Sequence, residues 1–233
     1  MKFETGFLEI IPRAQDMVSY RFSRPDELSY RAGQYMLVTI KSSEKELVHP
    51  FSLSSSPSEM NHVEFTKRLT ESEYSKTLRA AKPGDWARID APYGTFTFQG
   101  EHPKIVLLAG GVGITPFRSI CRYCTDKQVS SSIVLLYGNR SENEIAFKTE
   151  FEELQRQNPN LRVVFILNEA NSHWKGLIGF INADLIKNQV PDYKERIYYA
   201  CGPPGMVKAM ETAVASLGLP PSHLKLEVLA GHT

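Results

Sequence analysis

Cysteine is scarce in this chain of 233 residues: only Cys121, Cys124 and Cys201 are present. Three thiols cannot build a disulfide scaffold, and the number fits a reducing, cytoplasmic setting. Long apolar runs are missing too. The longest, Ile105 to Ile114, is interrupted by three glycines and falls far short of the roughly 20 residues of a membrane helix. No membrane span is expected. The charged start Met1-Lys2-Phe3-Glu4-Thr5 has no signal-peptide core behind it, so export is not expected either. An excess of one charge is also absent, with 27 basic residues against 26 acidic ones, which speaks against nucleic acid as the main partner. Cys121-Arg122-Tyr123-Cys124 has no second cysteine pair and falls inside a predicted helix rather than at its start. Helix packing is expected there, and no metal or redox centre.

What is present is the composition of a folded protein, 42% hydrophobic and 23% charged, which argues against disorder and against a coiled coil. The two halves differ in period. Residues 1–101 carry short β-rich runs: Phe7–Ile11, Met17–Phe22, Gln34–Ile40, His62–Thr66 and Trp86–Ile89. One helix is predicted near Tyr74–Ala81. Many short strands between turns predict an antiparallel barrel or sandwich. In residues 102–233, strand-like runs at Ile105–Ala109, Ile133–Tyr137, Val163–Leu167 and Ile197–Cys201 alternate with helical patterns at Pro116–Thr125, Glu144–Gln157, Ala183–Asn188 and Pro204–Leu217. That alternation predicts an α/β doubly wound parallel sheet.

The strongest chemical signal follows the first strand of the second half. There the chain reads Gly110-Gly111-Val112-Gly113-Ile114-Thr115-Pro116. Glycines let the backbone turn tightly and approach a phosphate, Thr115 can cap the helix that follows, and Pro116 suits its first turn. A tight turn without a ligand would also need glycine. The strand, the glycines, the cap and the proline together point to a dinucleotide site at a helix N-terminus. After the second strand comes Asn139-Arg140. An arginine here can accept the 2′-phosphate of NADP, so Arg140, with Lys148, favours NADPH over NADH. The competing arrangement has Asn139 and Glu142 holding the ribose hydroxyls of NADH.

The glycine turn resembles the nucleotide-domain motif of the ferredoxin–NADP⁺ reductase family of flavoproteins, and the resemblance runs through nearly the whole chain. Arg31-Ala32-Gly33-Gln34-Tyr35 is similar to that family's strand entry in the flavin domain. His49-Pro50-Phe51-Ser52 is similar to its flavin motif Arg-x-Tyr-Ser, with histidine in place of arginine. Pro92-Tyr93-Gly94-Thr95-Phe96 resembles its Gly-Pro-x-Gly-x-Phe segment, and Cys201-Gly202-Pro203-Pro204-Gly205-Met206 its second nicotinamide motif. The resemblance implies an N-terminal antiparallel β-barrel that binds FAD, followed by the doubly wound nucleotide domain.

It also implies roles. Phe51 would stack on the flavin, Ser52 would bond near flavin N5, and His49 and Pro50 would border the diphosphate. Thr66 and Lys67 lie on the strand that passes along the flavin. Tyr74, Ser75, Lys76 and Thr77 open the helix that meets its phosphates. Gly110, Gly111, Val112, Gly113, Thr115 and Pro116 would hold the dinucleotide with Asn139 and Arg140. Cys201, Gly202, Pro203, Pro204 and Met206 would surround the nicotinamide. Ser52, Cys201 and Glu227, the last on a C-terminal strand, would border the reacting atoms. The implied reaction passes hydride from NAD(P)H to FAD, then electrons to a ferredoxin or flavodoxin-type carrier or an oxygenase partner. A flavin or ferric reductase with a diffusible acceptor, or an electron-transfer subunit of a larger complex, fits the same residues. The sequence leaves the oligomeric state open.

Overall fold

A computed structural model describes residues 1–43 and 45–229. The chain divides into two compact units. The first comprises Met1–Gln99 and the helix Thr115–Asp126. Its strands are β1 (Lys2–Ala14), β2 (Met17–Ser23), β3 (Tyr35–Ser42), β4 (Lys45–Ser52), β5 (His62–Arg68) and β6 (Trp86–Tyr93). They form one antiparallel, barrel-like sheet in the order β4-β3-β6-β1-β2-β5.

Period-two alternation sorts the side chains. On β5, Val63 and Phe65 enter an aromatic core with Phe7, Tyr20, Phe22 and Phe51, while Glu64 and Thr66 face the other way. Helix α1 (Glu73–Ala80) is capped by the Ser72 hydroxyl, which accepts from the Ser75 N–H. It drops Tyr74 and Leu78 into that core, where the Tyr74 hydroxyl donates to the Val38 carbonyl at 3.1 Å.

Behind the sheet, the fully buried Glu64 carboxylate accepts from Arg21 Nε at 2.7 Å, Arg13 at 2.9 Å, and the Ser19 and Ser54 hydroxyls at 3.0 Å each. Helix α2 (Thr115–Asp126) packs in the same unit. Its Arg118 donates to the Ser54 carbonyl at 2.8 Å and forks onto Glu59 at 2.6 and 3.1 Å.

The second unit holds Gly100–Ile114 and the chain from Lys127 on. Its elements are β7 (Lys104–Gly110), β8 (Ser132–Asn139), α3 (Lys148–Gln157), β9 (Leu161–Leu167), β10 (Leu177–Ile178), α4 (Ala183–Gln189), β11 (Ile197–Gly202), α5 (Pro204–Ser216) and β12 (Leu224–Val228). The strands pair in parallel in the order β10-β9-β8-β7-β11-β12. Val106, Leu136 and Ala200 meet α4 and α5 on one face. Tyr137 meets Phe151 of α3 on the other, with ring centroids 6.4 Å apart. The strand order reverses between β7 and β11, where open α/β sheets place their ligand crevice.

Three local expectations change. Thr115 does not cap α2: a 3-10 turn, Gly111–Ile114, runs straight into the helix, so Thr115 is its first residue and Pro116 its second. The predicted helix Glu144–Gln157 is shorter. Ile145 and Phe147 are buried, Phe147 adopts a left-handed φ of 60°, and the helix starts only at Lys148. Strand β4 has no counterpart in the sequence-based strands because Pro50 masks it; the strand sits at the sheet edge, where a missing N–H is tolerated.

Candidate functional site

The second unit carries a cleft at the carboxyl ends of its strands. The carboxyl ends of β7, β8 and β9 and the start of α5 border a cavity of about 390 Å³, lined by Gly110, Gly138, Asn139, Asn168, Ile181 and Met206 among others. A Cβ on Gly110 would overlap the Met206 thioether, which would have to move aside. Gly113 is held more rigidly: a Cβ would overlap the Cys201 carbonyl and lie 2.6 Å from the Gly202 Cα. The turn after β7 therefore touches the end of β11 with no side chain between them. The structure thus brings together the two glycine motifs found in the sequence.

Asn139 supplies the clearest sign of a ligand. It is 5% exposed, and neither its Oδ1 nor its Nδ2 has a hydrogen-bond partner among the described residues. A buried amide left this way costs about 1–3 kcal/mol per group, so a polar ligand in the cleft it lines would be stabilised there. A rim of glycines, Gly110, Gly111 and Gly138, together with a polar amide, suits a dinucleotide. Asn168, Gly179 and Phe180 also border the cleft. Sequence reasoning missed them because the chain between β9 and α4 has no period to follow; Gly179-Phe180 ahead of a helix was the available cue.

At the end of β11, Cys201 is buried and lies opposite Glu227 of β12 in the strand register. Its Sγ lies 3.9 Å from Glu227 Oε2. Burial, reinforced by the Glu227 charge, pushes the thiol well above its usual range. It therefore stays protonated and is a poor nucleophile. The Leu229 N–H donates to the Gly202 carbonyl at 3.2 Å, extending this edge. By contrast, Cys121 and Cys124 are both buried in α2. Burial pushes Cys124 up to about 12 and Cys121 well above its ordinary value.

In the first unit, His49, Phe51, Lys67 and Tyr74 converge. The His49 ring meets Tyr74 edge-on at 4.5 Å, and the Lys67 ammonium lies 5.9 Å from the Phe51 ring centroid. Burial, then the Lys67 charge, lowers the His49 pKa, so its imidazole is neutral at pH 7. Burial also lowers that of Lys67, which is 2% exposed. A buried ammonium beside a neutral imidazole suits a phosphate- and carbonyl-bearing group, and Lys67 carries the charge that His49 does not.

Phe51 lies mostly inside the first unit. It is 4% exposed and stacked on Phe65 at 4.3 Å, because the β4 alternation turns it inward. Thr66 also turns away from Lys67, with its hydroxyl 2.7 Å from that of Ser19. Ser75 is held by the Ser72 hydroxyl at 3.0 Å. Lys76 pairs with Glu71 at 3.6 Å, and Thr77 donates to the Glu73 carbonyl at 2.9 Å, so the structure leaves these two on the outer side of α1. Ser52 and Pro50 keep their places on β4, buried and exposed respectively.

Comparison with known proteins also gives two domains, the second of them including helix α2. Residues 9–98 match the oxidoreductase FAD-binding domain family, and residues 107–212 the oxidoreductase NAD-binding domain family. The chain is 31% identical over 210 residues to NADH-cytochrome b5 reductase 1 of Scheffersomyces stipitis, spanning 85% of this chain and 73% of that one. It is 30% identical over 219 residues to the Aspergillus terreus protein of the same name, spanning 88% and 74%. In fold it resembles the cytochrome b5 reductase domain of Ulva prolifera nitrate reductase, with TM-score 0.85, 21% identity and 97% of each chain covered. It also resembles a ferredoxin NADP⁺ reductase from Neisseria gonorrhoeae, with TM-score 0.84, 20% identity and 97% and 98% covered. With an FAD-binding domain followed by an NAD-binding domain, this chain belongs to the flavoprotein oxidoreductases of the ferredoxin–NADP⁺ reductase type.

Proposed function

We propose that the protein oxidises NADH through bound FAD and passes the electrons singly to a separate haem protein of the cytochrome b5 type. The observation that carries the choice of NADH lies at the ribose end of the cleft. Arg140, read from sequence as a 2′-phosphate ligand, is paired with Glu169 at 3.0 Å, and Lys148 with Glu142 at 2.7 Å. Glu144 also borders the cleft. Three carboxylates thus stand against two cations, a poor setting for a dianionic phosphate. The relatives of 30% identity and more carry NADH and cytochrome b5 in their names, which supports this carrier above ferredoxin or flavodoxin.

Bound FAD would supply the chemistry of accepting an electron pair and releasing it one electron at a time. The residues of the chain position and shield. Gly110 and Gly111 line the cleft that would take the dinucleotide, Gly113 lets the turn after β7 close against the end of β11, and Asn139 offers its amide. Cys201, fixed by Glu227, forms a neutral wall at the end of β11. Lys67 and His49 would hold the flavin's polar groups.

Cys201→Ala is expected to slow flavin reduction by NADH about tenfold to a hundredfold with the flavin still bound, since small misplacements of the reacting atoms cost that much. Stopped-flow traces matching the parent would remove Cys201 from the site. For the function as a whole, anaerobic titration with NADH and NADPH, followed by steady-state assays with cytochrome b5, ferredoxin and flavodoxin, is decisive. A higher kcat/KM for NADPH, or faster turnover with ferredoxin, would overturn the reading.

A further inference from the structure

Two side chains at the rim of the cleft are locked together by the sheet beneath them. The Asn168 N–H donates to the Asn139 carbonyl at 3.0 Å, and the Glu169 N–H to the Arg140 carbonyl at 2.7 Å. These backbone bonds tie the two segments together just past the end of the β8–β9 ladder, and Arg140 and Glu169 leave it side by side. Their side chains close the pair, Nε to Oε1 at 3.0 Å, with 68% and 64% of each exposed. Arg140 lines the cleft, and Glu169 holds it from outside.

We propose that Glu169 is the specificity-determining residue of the dinucleotide cleft, keeping Arg140 from serving a 2′-phosphate. This rests on the NADH reading above. An exposed ion pair contributes little to stability, so the pair is poorly explained as a fold-stabilising contact. Its effect on an incoming anion is larger, because it acts twice. The carboxylate occupies the Nε edge of the guanidinium, one of the donors that would fork onto a phosphate. It also places a negative charge beside the position the phosphate would take, where repulsion over a few ångströms is only partly screened. A nucleotide with a free 2′-hydroxyl feels neither effect. Discrimination thus comes from a residue outside the cleft, acting on one that lines it.

The test uses the full chain and two probes, adenosine 2′,5′-bisphosphate and 5′-AMP, each titrated calorimetrically. The parent is expected to bind 5′-AMP more tightly. Glu169→Gln should strengthen bisphosphate binding about fivefold or more and leave 5′-AMP unchanged. In the Glu169→Gln/Arg140→Ala double variant that gain should vanish, because the freed guanidinium is its source. A Glu169→Gln protein with the parent's ratio of affinities overturns the proposal and leaves the NADH reading standing, as does a gain that survives removal of Arg140. A parent that already prefers the bisphosphate overturns the NADH reading and this proposal together.

Discussion

Gly113→Ala is expected to destabilise the protein by about 3 kcal/mol or more and to lower its Tm by roughly 6–12 °C. The added Cβ would overlap the Cys201 carbonyl and press on the Gly202 Cα at 2.6 Å. Both obstacles are backbone, held by the β11 ladders to β7 and β12, so no side-chain rotation relieves them. Movement of the turn would separate the two glycine motifs that border the cleft, and dinucleotide affinity should fall with stability. Thermal unfolding and nucleotide titration of the purified variant check both effects. A midpoint equal to that of the parent would show that the end of β11 can yield.

The second large effect concerns acid stability. Burial alone would raise the Glu64 pKa, but Arg118, Arg13 and Arg21 outweigh it and hold the carboxyl near 2, against an ordinary 4.5. A carboxyl depressed in the folded state stabilises the fold fully above its unfolded pKa. That contribution is lost as pH falls from about 4.5 toward 2, and amounts to roughly 3 kcal/mol. Glu64→Gln removes the charge and leaves the guanidinium groups of Arg13 and Arg21 crowded together, at a cost of about 3–5 kcal/mol at pH 7. Between pH 5 and 2 the variant should lose less further stability than the parent. Denaturant midpoints across that range test this; parallel curves would show that other carboxylates govern acid unfolding.

Glu64 also shows where sequence reading stops. Alternation places Val63 and Phe65 inward and Glu64 outward, and an outward glutamate ordinarily meets water. Its burial depends on Arg21 from the adjacent strand β2, Arg13 from β1 one strand further on, and Ser54 from a loop, partners that no local pattern joins. The parallel sheet was legible because β-branched runs and glycine turns carry their own period. Cys201 and Glu227 were legible as a pair only through resemblance, since 26 positions separate them and the β11–β12 register brings them opposite each other. Arg140 was visible, but Glu169 was not. An arginine's position can be read from its own strand, whereas the carboxylate that occupies it comes from the next one.

The proline that hid β4 from the sequence has a further consequence for the molecule in a crowded solution. β4 ends the order of its sheet, and among the described residues no ladder joins it to β5 at the opposite end. An open edge of this kind is a template on which a second chain can lay a strand. Pro50 removes one donor from that row, and the exposed Lys45 and Glu46 add charge at its start. The ring that stands in place of an N–H, and that makes this segment look unlike a strand, thus also makes the edge a poorer template for a second chain.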